Sequence, residues 1–210
     1  MKRLCLLFLL IGAYCYAGEK KYTVDSPDGK IQFTIVRTDA GGLAYQLSVN
    51  SKQVIATSAL GFKEKNGTTF PSRAWKMEKV TRRKVDAVWK PLWGKRAVVP
   101  DKYNEMKLFW VNESESSHAV EVVARAYNDG VAFRYVLPQG ADTASELTAF
   151  QFAGDYTAWY YNGERHNIGP ERLTETSGER LPVMTVKVAE DLYLAVHEAS
   201  LDEGEPLKLK

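Results

Sequence analysis

The sequence predicts an all-β, antiparallel sandwich, and three observations carry that expectation. Apolar and polar residues alternate with a period of two in most segments. Turn-forming residues recur about every ten positions, and no window beyond the first residues sustains a helical period. With no internal repeat and no low-complexity linker, residues 18 to 210 read as one domain.

The strands follow in order. Ile31-Gln32-Phe33-Thr34-Ile35 and Tyr45-Gln46-Leu47-Ser48-Val49 alternate cleanly, and Asn50 to Gln53 turns the chain into Val54-Ile55. Met106 to Val111 and Val120 to Ala126 continue the pattern. Tyr127-Asn128-Asp129-Gly130-Val131 reads as a hairpin turn, because Asn, Asp and Gly tolerate left-handed backbone. Phe133 to Leu137 returns and stops at Pro138. Leu147 to Phe152, Thr157 to Tyr161, Val183 to Val188 and Leu192 to His197 complete the set, the last two joined by a turn at Ala189-Glu190-Asp191. Residues 140–145 and 162–178 are expected to be the long, strand-poor loops, where binding groups usually sit.

The first residues read differently. Met1-Lys2-Arg3 precedes an apolar run from Leu4 to Ile11, and Ala13 to Ala17 leads to the first acid at Glu19. This is the pattern of a secretory signal peptide cleaved after Ala17, so the expected destination is periplasmic or secreted. The run is far shorter than the ~20 residues of a membrane-spanning helix, so no membrane anchor is expected. Both cysteines, Cys5 and Cys15, lie in this leader, and their loss would exclude disulfides, thiol chemistry and cysteine-held metals. The leader also holds Lys2 and Arg3 and no acid, so the 28 basic residues fall to 26 against 26 acids. A neutral mature chain offers no long-range field for nucleic acid or anionic lipid. Arg82-Arg83-Lys84, its compact basic run, reads as a solvated strand face.

Several chemistries lack their signatures. The three histidines, His118, His166 and His197, accompany no nucleophile elbow. His197 has no second histidine at zinc-site spacing, and no glycine loop is built to cradle phosphate. Glu164, Glu171, Glu175 and Glu179 could serve a glycosidase, but their spacing does not place two of them about one sugar. The unusual block is Trp89-Lys90-Pro91-Leu92-Trp93-Gly94 followed by Tyr103-Asn104-Glu105, which reads as exposed. Aromatic faces beside amide and carboxylate groups suit sugars, but on composition alone the expectation is that these tryptophans fill a core or a sheet edge.

Four ordered blocks resemble the amino-terminal domain of glycoside hydrolase family 97. They are Trp89 to Glu105, Tyr127 to Tyr135, Trp159-Tyr160-Tyr161-Asn162-Gly163-Glu164-Arg165, and His197-Glu198-Ala199-Ser200-Leu201. The resemblance implies a mutarotase-like β-super-sandwich from an exported α-glucosidase or α-galactosidase whose catalytic carboxylates lie on a separate (β/α)8 barrel. It also implies that Glu198 helps to bind calcium, with barrel glutamates as the other ligands. One carboxylate supplies at most two of the six to eight oxygens that calcium takes, so Glu198 alone is expected to hold it negligibly. After Leu201 the polar Asp202 to Pro206 stands where the family continues toward the barrel. The expectation is therefore a truncated product or one fragment of a split enzyme, inactive alone and working, if at all, with a barrel chain. α-Linked oligosaccharide is the expected ligand, with Trp93, Tyr103, Asn104, Glu105, Asn162 and Glu164 as candidate contacts. A free-standing carbohydrate-binding module that also uses Trp89 is the alternative.

Overall fold

A computed structural model describes residues 19–115, 118–163, 165–199 and 207–209, with backbone alone for 165–167. The expected leader, Glu164 and residues 200–206 lie outside that description. Among the described residues every regular element is a strand.

Two four-stranded antiparallel meanders form the sandwich. The first runs through β1 (Lys20–Asp25), β2 (Ile31–Arg37), β3 (Leu43–Val49) and β4 (Lys52–Leu60). After the short β5 (Phe62–Glu64) and β6 (Thr69–Phe70), the second runs through β7 (Trp75–Trp89), β8 (Val99–Asn112), β9 (Ala119–Tyr127) and β10 (Gly130–Val136). Next, β11 (Thr143–Glu146) pairs with β5. A further sheet has the order β13-β12-β14-β15, built from β12 (Thr157–Asn162), β13 (Arg165–Arg172), β14 (Leu181–Ala189) and β15 (Leu192–Val196).

The period-two alternation explains why these segments pair as they do. Phe33 and Ile35 of β2, Met106, Leu108 and Trp110 of β8, and Val120 and Val122 of β9 are all buried in one core. Placing both inner faces against each other removes that apolar surface from water, the main favourable term in folding. Phe33 and Tyr45 meet Phe133 across the layers, at ring separations of 5.9 and 5.5 Å. The left-handed turn falls at Asn50 and Ser51, with φ of 49° and 64°, which is the geometry that a two-residue β3–β4 hairpin demands.

Three segments differ from expectation. Leu147 to Phe152 pairs only irregularly: it runs along β4 through Leu147 N–H to Gly61 O (2.8 Å) and Ala149 N–H to Ala59 O (2.9 Å). Buried Ser58 interrupts the ladder, since its Oγ accepts the Gln151 N–H at 2.9 Å. The stretch read as the loop 162–178 contains strand β13, and residues 143–145 of the other loop belong to β11. Strand β13 sits at a sheet edge, where Gly169 and Pro170 are tolerated although they mask a strand pattern.

Gly169 is held at φ 113°, and a Cβ there would collide with the Ala158 carbonyl oxygen. Gly169→Ala is therefore expected to lower stability by about 2 kcal/mol. A urea-unfolding midpoint equal to that of the parent would refute this account of the β12–β13 contact.

Candidate functional site

Strand register builds the most concentrated group of charges on the outer face of the second meander. Arg83 of β7 lies opposite Glu105 of β8, and Glu105 lies opposite Arg125 of β9. Arg83 donates from Nε to Oε1 at 2.6 Å and from Nη2 to Oε2 at 3.1 Å, while Arg125 Nε donates to Oε2 at 2.8 Å. Burial by itself would raise the Glu105 carboxyl, but the hydrogen bonds and charges of the two guanidiniums outweigh it and hold the group below its ordinary value. Tyr103, one pair further along, carries the Arg125 guanidinium 4.5 Å above its ring and packs on Tyr127.

This arrangement corrects the exposed disposition expected of Tyr103-Asn104-Glu105. Tyr103 and Glu105 are 4% and 2% exposed, and both Glu105 oxygens are already engaged. Asn104 faces the other way, donating to the Asp25 carbonyl at 2.7 Å and tying β8 to β1. The basic run is a solvated strand face as expected, with Arg82, Arg83 and Lys84 all exposed, although Arg83 also pairs with Glu105 and Arg82 Nη2 reaches Met106 Sδ at 3.6 Å.

Beyond Tyr103 the β7–β8 pair continues without β9, whose register ends at Tyr103 opposite Tyr127. The result is a two-stranded arm whose tip leaves Trp89, Leu92 and Trp93 exposed at 55%, 101% and 86%. Trp93 is thus displayed, but Tyr103 and Glu105 lie at the base of the arm and not beside it. Asn162 is exposed at the end of β12, on a different sheet, and Glu164 lies outside the described residues.

Glu198 is half-buried just after β15, and its Oε1 accepts the Leu207 backbone N–H at 2.5 Å. Leu209 then pairs with Arg180 through two backbone hydrogen bonds of 2.9 Å, so residues 207–209 run beside the start of β14. They help to line an open cleft of about 1820 Å³ with an apolar floor that includes Phe150, Phe152, Met184 and Val196, and with Asp142, Asp155 and Arg180 among its polar residues. Among the described residues no three His, Cys, Asp or Glu side chains converge as a metal site. One Glu198 oxygen is already occupied, and the described residues do not by themselves fit a calcium ion.

A second buried pair escaped the sequence reading. His118 Nε2 lies 2.7 Å from Glu64 Oε1, and Asn66 Nδ2 donates to Glu64 Oε2 at 3.1 Å. The contact spans 54 positions, so only the fold could reveal it.

The glycosyl-hydrolase 97 N-terminal family model matches residues 24–210. The chain belongs to that family. A retaining α-galactosidase of Bacteroides thetaiotaomicron is 24% identical to it over 220 aligned positions, covering 94% of this chain and 32% of that protein. A probable retaining α-galactosidase of Streptomyces bingchenggensis is 28% identical, covering 76% of this chain and 26% of that one. Among solved structures, a family 97 enzyme from Pseudoalteromonas sp. in complex with panose superposes with a TM-score of 0.79 at 27% identity, over 89% of this chain and 30% of its own. The family 97 domain described here therefore spans about a third of the length of the relatives it matches.

Proposed function

We propose that this family 97 domain is the non-catalytic sandwich of an exported α-glycoside hydrolase of the α-galactosidase or α-glucosidase type. It supplies a cleft wall and one calcium ligand, Glu198, to a catalytic barrel in the same or a partner chain. The observation that carries this reading is the family match across residues 24–210, joined to a span of only about a third of relatives named as α-galactosidases. The leader-like residues 1–17 support export to the periplasm or medium, and the panose held by one structural relative supports α-linked oligosaccharide as the substrate class. The remaining calcium oxygens would come from protein outside the described residues.

Incubating the purified protein with aryl α-galactoside and α-glucoside tests the reading. No hydrolysis is expected, with or without calcium, and sustained release of the aryl group would overturn it. Panose titration separates the alternative module, since saturable binding without any partner would favour that module over the incomplete enzyme.

A further inference from the structure

The β7–β8 arm is not used by that reading, and its tip has a composition of its own. From Ala87 to Pro100 the chain holds Lys90, Lys95 and Arg96 and no acid, with Val88, Trp89, Leu92, Trp93 and Val98 all exposed. At the arm's base Asp101 of β8 lies opposite Ala87, and Asp86 of β7 pairs with Lys102 at 2.5 Å, so the three tip cations outnumber the one acid beside them. A two-stranded ribbon is marginal in water by itself, and an exposed apolar cluster at its end signals a surface that is meant to be covered.

We infer that the tip docks peripherally on an anionic lipid surface. Trp89 and Trp93 would lie at headgroup depth with Leu92 and the valines beneath, while Lys90, Lys95 and Arg96 meet the lipid phosphates. The chemistry of the tip favours lipid over sugar and over a second copy of this chain. Sugar hydroxyls require acceptors as well as donors, and between Ala87 and Val99 no Asn, Gln, Ser, Thr, Tyr, His or acid supplies a side-chain acceptor. Two copies meeting tip to tip would oppose three cations with three cations. A near-neutral chain gives no long-range pull toward a membrane, so attraction is local to the arm and must weaken as salt rises. Among the described residues no helix is long and apolar enough to span a bilayer, and none is needed for peripheral docking.

The test is co-sedimentation and tryptophan emission of the purified protein with phosphatidylcholine vesicles, with and without phosphatidylglycerol. Binding to the anionic vesicles and a blue shift are expected: of the five tryptophans Trp75 and Trp110 are already buried and Trp159 is half-buried, so the exposed Trp89 and Trp93 are the main reporters. Neutralising Lys90, Lys95 and Arg96 to glutamine should weaken binding roughly hundredfold. The Trp89→Ala, Trp93→Ala double variant should lose the blue shift while its far-ultraviolet spectrum stays unchanged. Failure to bind anionic vesicles, or equal binding by these variants, overturns the inference. So does a tip-dependent change in molecular mass without lipid, which would assign the surface to a second copy, or emission that responds to panose and not to vesicles.

Discussion

Replacing Phe70 by alanine will cost this domain about 5 kcal/mol of stability, the upper end for truncating a buried aromatic. Phe70 is fully buried in the short strand β6 and touches four other rings. Its ring centroid lies 5.4 Å from Phe62, 5.0 Å from Trp75, 6.0 Å from Trp110 and 6.2 Å from Tyr135. Those partners come from β5, β7, β8 and β10, so one side chain joins the small β11-β5-β6 sheet to the second meander. Truncation would remove the transfer free energy, leave a cavity among rigid rings that cannot collapse, and forfeit edge-to-face contacts of about 0.5–1.5 kcal/mol each. Urea unfolding measures the loss, with an unchanged m-value showing that the unfolded reference has not moved. Phe70→Leu should retain most of the stability, because a leucine fills much of the same space. A loss below about 2 kcal/mol for the alanine variant would mean that the ring cluster relaxes around the gap, contrary to the packing account.

Where one strand face is buried and the other solvated, the sequence was legible. The alternating β3, β8, β9, β12, β14 and β15 were each readable in part because burial imposes the period of two, whereas β2 alternates in sequence although Phe33 to Val36 are all buried. Strand β7 carried no such signal over its second half, since the arm is exposed on both faces and nothing selects apolar residues at alternate positions. Strand β13 was hidden by its Gly-Pro pair at a sheet edge. The charged ladder was illegible for a different reason. Arg83, Glu105 and Arg125 are about twenty positions apart, and only the register of three strands places them side by side. The same register explains why Tyr103 and Glu105 looked available for a ligand and yet are covered. The two open readings of Trp89 and Trp93 could not be separated from composition, because what matters is that β9 stops short of them.

Glu105→Gln will lower stability at neutral pH by about 3 kcal/mol, the low end for removing one partner of a buried ion pair. The low end applies because the Arg83 side chain is 55% exposed and can partly rehydrate when its partner loses charge. The amide keeps the shape of the carboxylate but offers one acceptor oxygen where two guanidiniums now share two. The pH dependence separates charge from shape. A carboxyl held below its ordinary value in the fold stabilises the native state above the unfolded pKa, about 4.3 for glutamate, and the contribution disappears as pH falls through the lower folded value. The gap between parent and variant should therefore be full at neutral pH and shrink on acidification below about pH 4. Urea midpoints of both proteins across that range measure it. A gap that stays constant into acid would show that Glu105 acts through packing alone, and the ladder would lose its electrostatic role.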